Sequence, residues 1–247
     1  MLSPRVLDLV ISPTRSCRTR FRPRLSDVAV MTPINRYRDR SEAGQALARH
    51  LAPHVHEDTL VLALPRGGVP VAAEITRAFD LPLDVFLVRK IGHPSNPELA
   101  IGAIASGGVQ LLDDSLIAAE QIPEDVVAAI IARESAELLR RETLYRGERP
   151  PPDLTQRRVV LVDDGLATGY SLRVAVLALQ RVSPPHLTIA IPVGAPEACV
   201  TLAAAVDELI CPVQPEPFHA VGLWYDHFPA VGDDQVRAIL AHAAAIQ

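Results

Sequence analysis

Apolar residues fall into two patterns along this chain, and their alternation predicts the architecture. Short unbroken runs at 59–64, 84–88, 159–162, 186–193 and 207–211 read as strands buried on both faces, the kind found in parallel sheets. Between them, apolar residues recur every three or four positions. This periodicity predicts a helix from Tyr37 with Ser41 as its cap and Ala43, Leu47 and Leu51 on its inner face. It predicts others over 71–79, 123–146, 171–180 and 195–206. Strands alternating with helices give an α/β fold, a mostly parallel sheet flanked by helices and joined by right-handed crossovers. Residues 99–105 and 109–112 read as short strands around Ser106-Gly107-Gly108. The segment 91–98, with Gly92, Pro94 and Pro97, reads as a long loop that is neither helix nor strand and is suited to a lid.

Chemistry concentrates where the run ending at Val162 meets Asp163-Asp164-Gly165-Leu166-Ala167-Thr168-Gly169-Tyr170-Ser171. In open α/β sheets ligands bind at the carboxyl ends of the strands, and Thr168 to Ser171 stand at the start of a predicted helix. Backbone N–H groups there suit a phosphate, while two carboxylates suit vicinal sugar hydroxyls or a hydrated Mg²⁺. Together they describe a site for a ribose 5-phosphate. No lysine lies in the turn and no G-x-G-x-x-G occurs, which sets aside the P-loop and the dinucleotide fingerprint. A second turn, Pro65-Arg66-Gly67-Gly68, also leads from strand to helix, so Arg66, Gly67 and Gly68 are candidates for a second phosphate group. Lys90 is the only lysine beside 23 arginines, and it stands next to Arg89 ahead of the 91–98 loop.

Composition bounds the class. The chain has 247 residues, 49% hydrophobic and 21% charged, which is ordinary globular material for one α/β domain with an appendage. A net charge of −5 argues against nucleic acid as partner, and no apolar run reaches membrane-spanning length. Cys17, Cys199 and Cys211 have no C-x-x-C spacing; Cys199 and Cys211 are expected as buried free thiols, which places the protein in the cytoplasm. Residues 1–33 form a basic, proline-broken extension expected to be poorly ordered, 34–214 the core, and 215–247 a smaller C-terminal unit. In that last unit Phe218, Trp224, Tyr225 and Phe228 interleave with His219, Asp226 and His227, as a platform for a planar base or as a small cap over the sheet edge.

The strand, the acid pair, two variable residues and the Thr-Gly turn resemble the phosphoribosyl pyrophosphate (PRPP) motif of type I phosphoribosyltransferases. The motif order from about Tyr37 to about Leu240 is similar to that of a bacterial subgroup of predicted phosphoribosyltransferases. The resemblance implies a type I phosphoribosyltransferase-like sheet with a C-terminal hood. It implies transfer of ribose 5-phosphate from PRPP to a nitrogenous base or amine acceptor with release of pyrophosphate, with Mg²⁺ as cofactor and a homodimer as the assembly. Asp163 and Asp164 would hold the ribose hydroxyls and, through water, Mg²⁺; residues 165–171 would take the 5′-phosphate. Arg66, Gly67, Gly68, Arg89 and Lys90 would face the pyrophosphate, with Arg89 and Lys90 acting in catalysis, and Trp224, Tyr225 and Asp226 would serve the acceptor. Three departures stand out: Ala167 replaces the acid common in purine-using members, Tyr170 a small residue, and Ser171 a Thr. The subgroup's Trp-Tyr-x-Asp-Phe is here Trp224-Tyr225-Asp226-His227-Phe228. The alternative function is a PRPP- or nucleotide-binding regulator that keeps the fold without turnover.

Overall fold

The computed structural model describes residues Arg36–Ala245, so the 1–33 extension lies outside the described residues. Five strands, β1 (Thr59–Ala63), β2 (Leu83–Val85), β6 (Arg158–Val162), β7 (His186–Ala190) and β8 (Glu208–Ile210), form one parallel sheet in the order β2-β1-β6-β7-β8. Both faces are buried, as the unbroken apolar runs require. Val160 and Val162 pack with α1 (Arg40–Leu51), α2 (Gly68–Phe79) and α4 (Glu124–Arg146); Val159 and Leu161 pack with α5 (Tyr170–Val182) and α6 (Pro196–Ala203).

Several boundaries differ from the sequence reading for identifiable reasons. Helix α1 is capped by Asp39, whose carboxylate accepts the Glu42 N–H at 2.9 Å, while the Ser41 hydroxyl is drawn to Glu74 of α2. Helix α2 begins at Gly68, because Pro70 is tolerated in a first turn whose N–H groups have no intrahelical partner.

The larger correction concerns 91–98. It is a hairpin, not a loop: β3 (Val88–His93) and β4 (Asn96–Ala105) pair antiparallel, and β5 (Val109–Leu112) completes a separate three-stranded sheet. The prolines are accommodated near the tip, where the register shifts around Gly92. A Cβ on Gly92 would lie 2.7 Å from the Pro97 carbonyl oxygen, so only glycine lets the strands close there. A short helix that the periodicity does not reveal, α3 (Asp114–Ala119), follows β5, capped by Asp113.

Helix α4 carries buried polar work at its end. Arg146 Nε donates to both oxygens of Asp84 at 3.0 and 2.9 Å, and its Nη2 donates to the Val85 carbonyl at 2.8 Å, bolting α4 to β2. Of the stretch from Pro215, the aromatic part packs around Tyr37 and Val193. Its last helix, α7 (Asp233–Ala245), instead buries Val236 and Leu240 in the main core beside α2 and β2.

Candidate functional site

The site forms where β1 and β6, neighbours in the sheet, end side by side. The Leu64 N–H donates to the Val162 carbonyl at 2.8 Å, carrying their pairing one step past the strands. Two glycines then allow the following turns to touch. A Cβ on Gly67 would fall 2.0 Å from Asp164 Oδ2, and one on Gly68 would fall 2.6 Å from the Val162 carbonyl oxygen and 2.9 Å from Asp163 Cα. The Arg66-Gly67-Gly68 turn and the acid pair therefore share one mouth, as the sequence reading requires, and the Pro65–Arg66 peptide within it is cis.

The acid pair is held from several sides. Asp163 Oδ1 accepts the Asp164 N–H at 2.8 Å. Asp164 Oδ2 accepts from Arg40 Nε at 2.8 Å, and its carbonyl oxygen accepts the Tyr225 hydroxyl at 2.6 Å. Burial, and then the negative charge of Asp164, pushes the Asp163 carboxyl well above its ordinary range. Burial also raises Asp164, against the lowering effect of Arg40. Two carboxylates with one adjacent cation leave a deficit of positive charge. Such a pair fits Mg²⁺, which is commonly held by one or two carboxylates together with water and substrate phosphates. Among the described residues no cluster of three or more His, Cys, Asp or Glu offers a metal a complete protein cage.

Beyond the acids the chain turns into α5. Gly165 is overlaid by Val221, whose Cγ1 would lie 2.4 Å from a Cβ there. Leu166 is buried, its N–H donates to the Val193 carbonyl at 2.9 Å and its own carbonyl accepts from Ala195, so its amide is committed to the scaffold and does not face a phosphate. Ala167, Thr168 and Ser171 are exposed, and Gly169 adopts φ 73° as the residue before α5, a conformation that favours glycine. The N–H groups of the first turn of α5 thus open beside the acids, where a helix N-terminus attracts an anion. Tyr170 does not crowd this turn. Its ring packs with Ala103, Leu111 and Val174 and its hydroxyl donates to the Gly102 carbonyl at 3.0 Å, pinning the hairpin sheet to α5.

The remaining expected residues divide. Tyr225 is at the acid pair, but as a buried support with its hydroxyl on Asp164. Trp224 and Asp226 line an open hollow of about 650 Å³ with Arg36, Pro217, His219 and Leu223. Arg66 reaches toward Asp233 at 3.8 Å. Arg89 and Lys90 have no ion pair or hydrogen bond to the acid pair. Arg89 donates to Glu134 of α4 at 2.8 Å through Nε, and Lys90 Nζ lies 3.3 Å from Glu98 of its own hairpin. Both border a cleft of about 730 Å³ between the hairpin and α4. Lys90 nevertheless pairs with Ala103, which packs against Tyr170, so it belongs to the hairpin face that meets α5.

Arg40 is the residue that sequence reasoning missed. With Ser41 read as the cap, Arg40 falls just before the helix, and no local pattern marks it. Cys199 and Cys211 are free and buried, their sulfurs 2.8 and 3.2 Å from where a Gly194 Cβ would be, directly behind Leu166.

Comparison with known proteins agrees with this geometry. A family model described as a phosphoribosyl transferase domain matches residues 39–223. A Mycobacterium tuberculosis protein provisionally named a phosphoribosyl transferase is 38% identical over 205 residues, covering 83% of this chain and 46% of its own, so the chain spans about half the length of that relative. A Thermus thermophilus protein of solved structure is 42% identical with a TM-score of 0.74, covering 84% of this chain and 98% of its own. A uracil phosphoribosyltransferase of Lactobacillus gasseri is 34% identical over 137 residues, covering 53% of this chain and 62% of its own. With three quarters of its length inside the family model and the turns of the motif meeting at one sheet edge, the chain belongs to the phosphoribosyl transferase family.

Proposed function

We propose that this protein transfers the ribose 5-phosphate of PRPP to a nitrogenous base or related amine, releasing pyrophosphate. The observation that carries the reading is the contact of the Gly67 turn with Asp164, which gives an anion-suited turn, an acid pair and a helix N-terminus a common mouth. In the transfer, the acceptor nitrogen forms a bond to C1 of the ribose as the bond from C1 to the pyrophosphate oxygen breaks, and positive charge develops on the ring. Enzymatic help for such a step consists of holding the partners, neutralising the leaving group and excluding water.

Asp163 and Asp164 hold the ribose hydroxyls; Thr168, Gly169, Tyr170 and Ser171 present backbone N–H groups to the 5′-phosphate; Gly67 and Gly68 admit the pyrophosphate beside Arg66. Asp163 and Asp164 would also hold Mg²⁺, whose charge would help neutralise the phosphates. Lys90 meets the departing pyrophosphate when the hairpin moves over the site, and Arg89 supports it from the α4 side. Trp224 and Asp226, which border the hollow with Arg36 and His219, face the acceptor. A homodimer working in the cytoplasm completes the reading; among the described residues no helix is long and apolar enough to cross a membrane.

A second reading, a regulator that binds PRPP or a nucleotide without turnover, draws on the engagement of Arg89 with Glu134 and of Lys90 with Glu98, away from the acids. Incubation with PRPP, Mg²⁺ and a panel of bases and amines, following pyrophosphate, separates the two. Release that depends on one acceptor supports the transferase; tight PRPP binding with no release under any acceptor supports the regulator.

A further inference from the structure

Arg40 occupies an expensive position. It stands in the first turn of α1, where the helix dipole disfavours a cation, and its side chain is only 11% exposed. Neither the helix nor the core needs a guanidinium there. All of its contacts lie elsewhere: Nε donates to Asp164 Oδ2 at 2.8 Å, Nη1 donates to the Pro229 carbonyl at 2.8 Å, and the guanidinium carbon lies 3.7 Å from the centre of the Phe228 ring. Phe228 in turn stacks on Tyr225, ring centres 4.8 Å apart, and the Tyr225 hydroxyl returns to the Asp164 carbonyl. On its other side Asp164 Oδ2 lies against Gly67. The carboxylate is therefore fixed between the Gly67 turn and a guanidinium whose second nitrogen and flat face are spent on the 225–229 segment.

We propose that Arg40 is a positioning residue with two duties carried by different parts of one guanidinium: Nε orients Asp164 for PRPP, while the second nitrogen and the face dock the C-terminal segment 225–229 over the acceptor side. This rests on the proposed function for its catalytic meaning, but the docking itself does not. The geometry also says why arginine is used. A planar fork reaches a carboxylate and a carbonyl at once while lying flat on a ring; an ammonium satisfies the charge but not the other two contacts.

The test uses the full chain with Arg40→Gln, Arg40→Lys and Phe228→Leu. It reads PRPP affinity by calorimetry, steady-state rates, melting temperature, and acrylamide quenching of Trp224, which is the chain's single tryptophan and lies in the docked segment. Arg40→Gln is expected to weaken PRPP binding about tenfold, the scale of one lost hydrogen bond to a charged group. It should also raise the Trp224 quenching constant and the KM for the acceptor. Arg40→Lys restores PRPP affinity to within a few-fold yet leaves Trp224 as open to quencher as in the Gln variant. Phe228→Leu, which keeps the ion pair, raises quenching with PRPP affinity unchanged, and carries the test if Arg40→Gln fails to fold. Unchanged Trp224 quenching in every folded variant overturns the proposal. So does loss of PRPP binding, melting temperature and quenching protection in parallel with no recovery in Arg40→Lys, the pattern of a purely structural residue. If the parent protein neither binds PRPP nor releases pyrophosphate, the functional reading fails, and the quenching arm still decides the docking role.

Discussion

The parallel-sheet edge and the hairpin sheet treat charge in opposite ways. At the edge, Asp163 and Asp164 share the single guanidinium of Arg40; burial raises both carboxyls, and the charge of Asp164 adds to the rise at Asp163. On the hairpin and the helix beside it, every cation has an acid: Arg89 and Arg133 meet Glu134, Lys90 meets Glu98, and Arg140 and Arg141 meet Glu137. Burial alone would raise the Glu134 carboxyl, but the hydrogen bonds from Arg89 and Arg133 hold it below its usual range. A region balanced within itself is built to hold a shape. A buried region short of positive charge is built to receive something, and it sits at reduced stability until that arrives.

The most severe challenge to this contrast is to neutralise the edge. Asp163→Asn with Asp164→Asn should lower PRPP affinity at least about 100-fold in calorimetry, as loss of preorganised polar groups does, while the melting temperature does not fall. A comparable change on the hairpin should act on rate instead. Lys90→Ala is expected to reduce kcat on the order of 10²-fold with a smaller loss of PRPP affinity, since a charge that meets the leaving group counts most in the transition state. Equal losses in kcat/KM and affinity at unchanged kcat would assign Lys90 to ground-state binding.

The edge should also show itself in pH. Asp163 has a folded-state pKa raised above the unfolded value of about 3.9, so its contribution to stability is full below that pH and is lost as pH rises through the raised value. In that window the folded state binds the extra proton, and stability should decline by up to about 1.4 kcal/mol per pH unit in metal-free urea melts. Asp163→Asn should flatten the decline, and Mg²⁺ should oppose it. Breaking the balanced side costs less: Arg89→Ala leaves Glu134 short of a partner and should destabilise by about 1–2 kcal/mol in the same melts. Least of all, Arg140→Gln on the exposed face of α4 should stay within about 0.5 kcal/mol of the parent.

The sequence announced the edge far better than the hairpin, for physical reasons. Four apolar residues ending in two acids and a glycine turn form a local signal, and β6, the acid pair and the start of α5 are found where it puts them. The hairpin is hidden because Pro94 and Pro97 read as breakers, whereas Gly92, which pairs with Ala100 and lets the Pro97 carbonyl approach closely, and a register shift let the strands pair around them. Arg40 was invisible because its partner is 124 residues away and its ring contact lies in the C-terminal segment. The same holds for Arg146 and Asp84: a helix pattern shows which face is apolar, not which of its charges will be buried against a distant strand.

The placement of α7 has a consequence for how the chain is made. Val236 and Leu240 close the same core as Ile75 of α2 and Leu83 of β2. At about 5–20 residues per second, synthesis from Leu83 to Leu240 takes on the order of 10–30 s. Throughout that interval the outer apolar face of α2 and β2 has emerged without its cover, so the nascent protein presents a hydrophobic groove to whatever waits at the ribosome. Closure of this core waits for Leu240 to emerge, and a stall anywhere between Leu83 and Leu240 prolongs the time spent open.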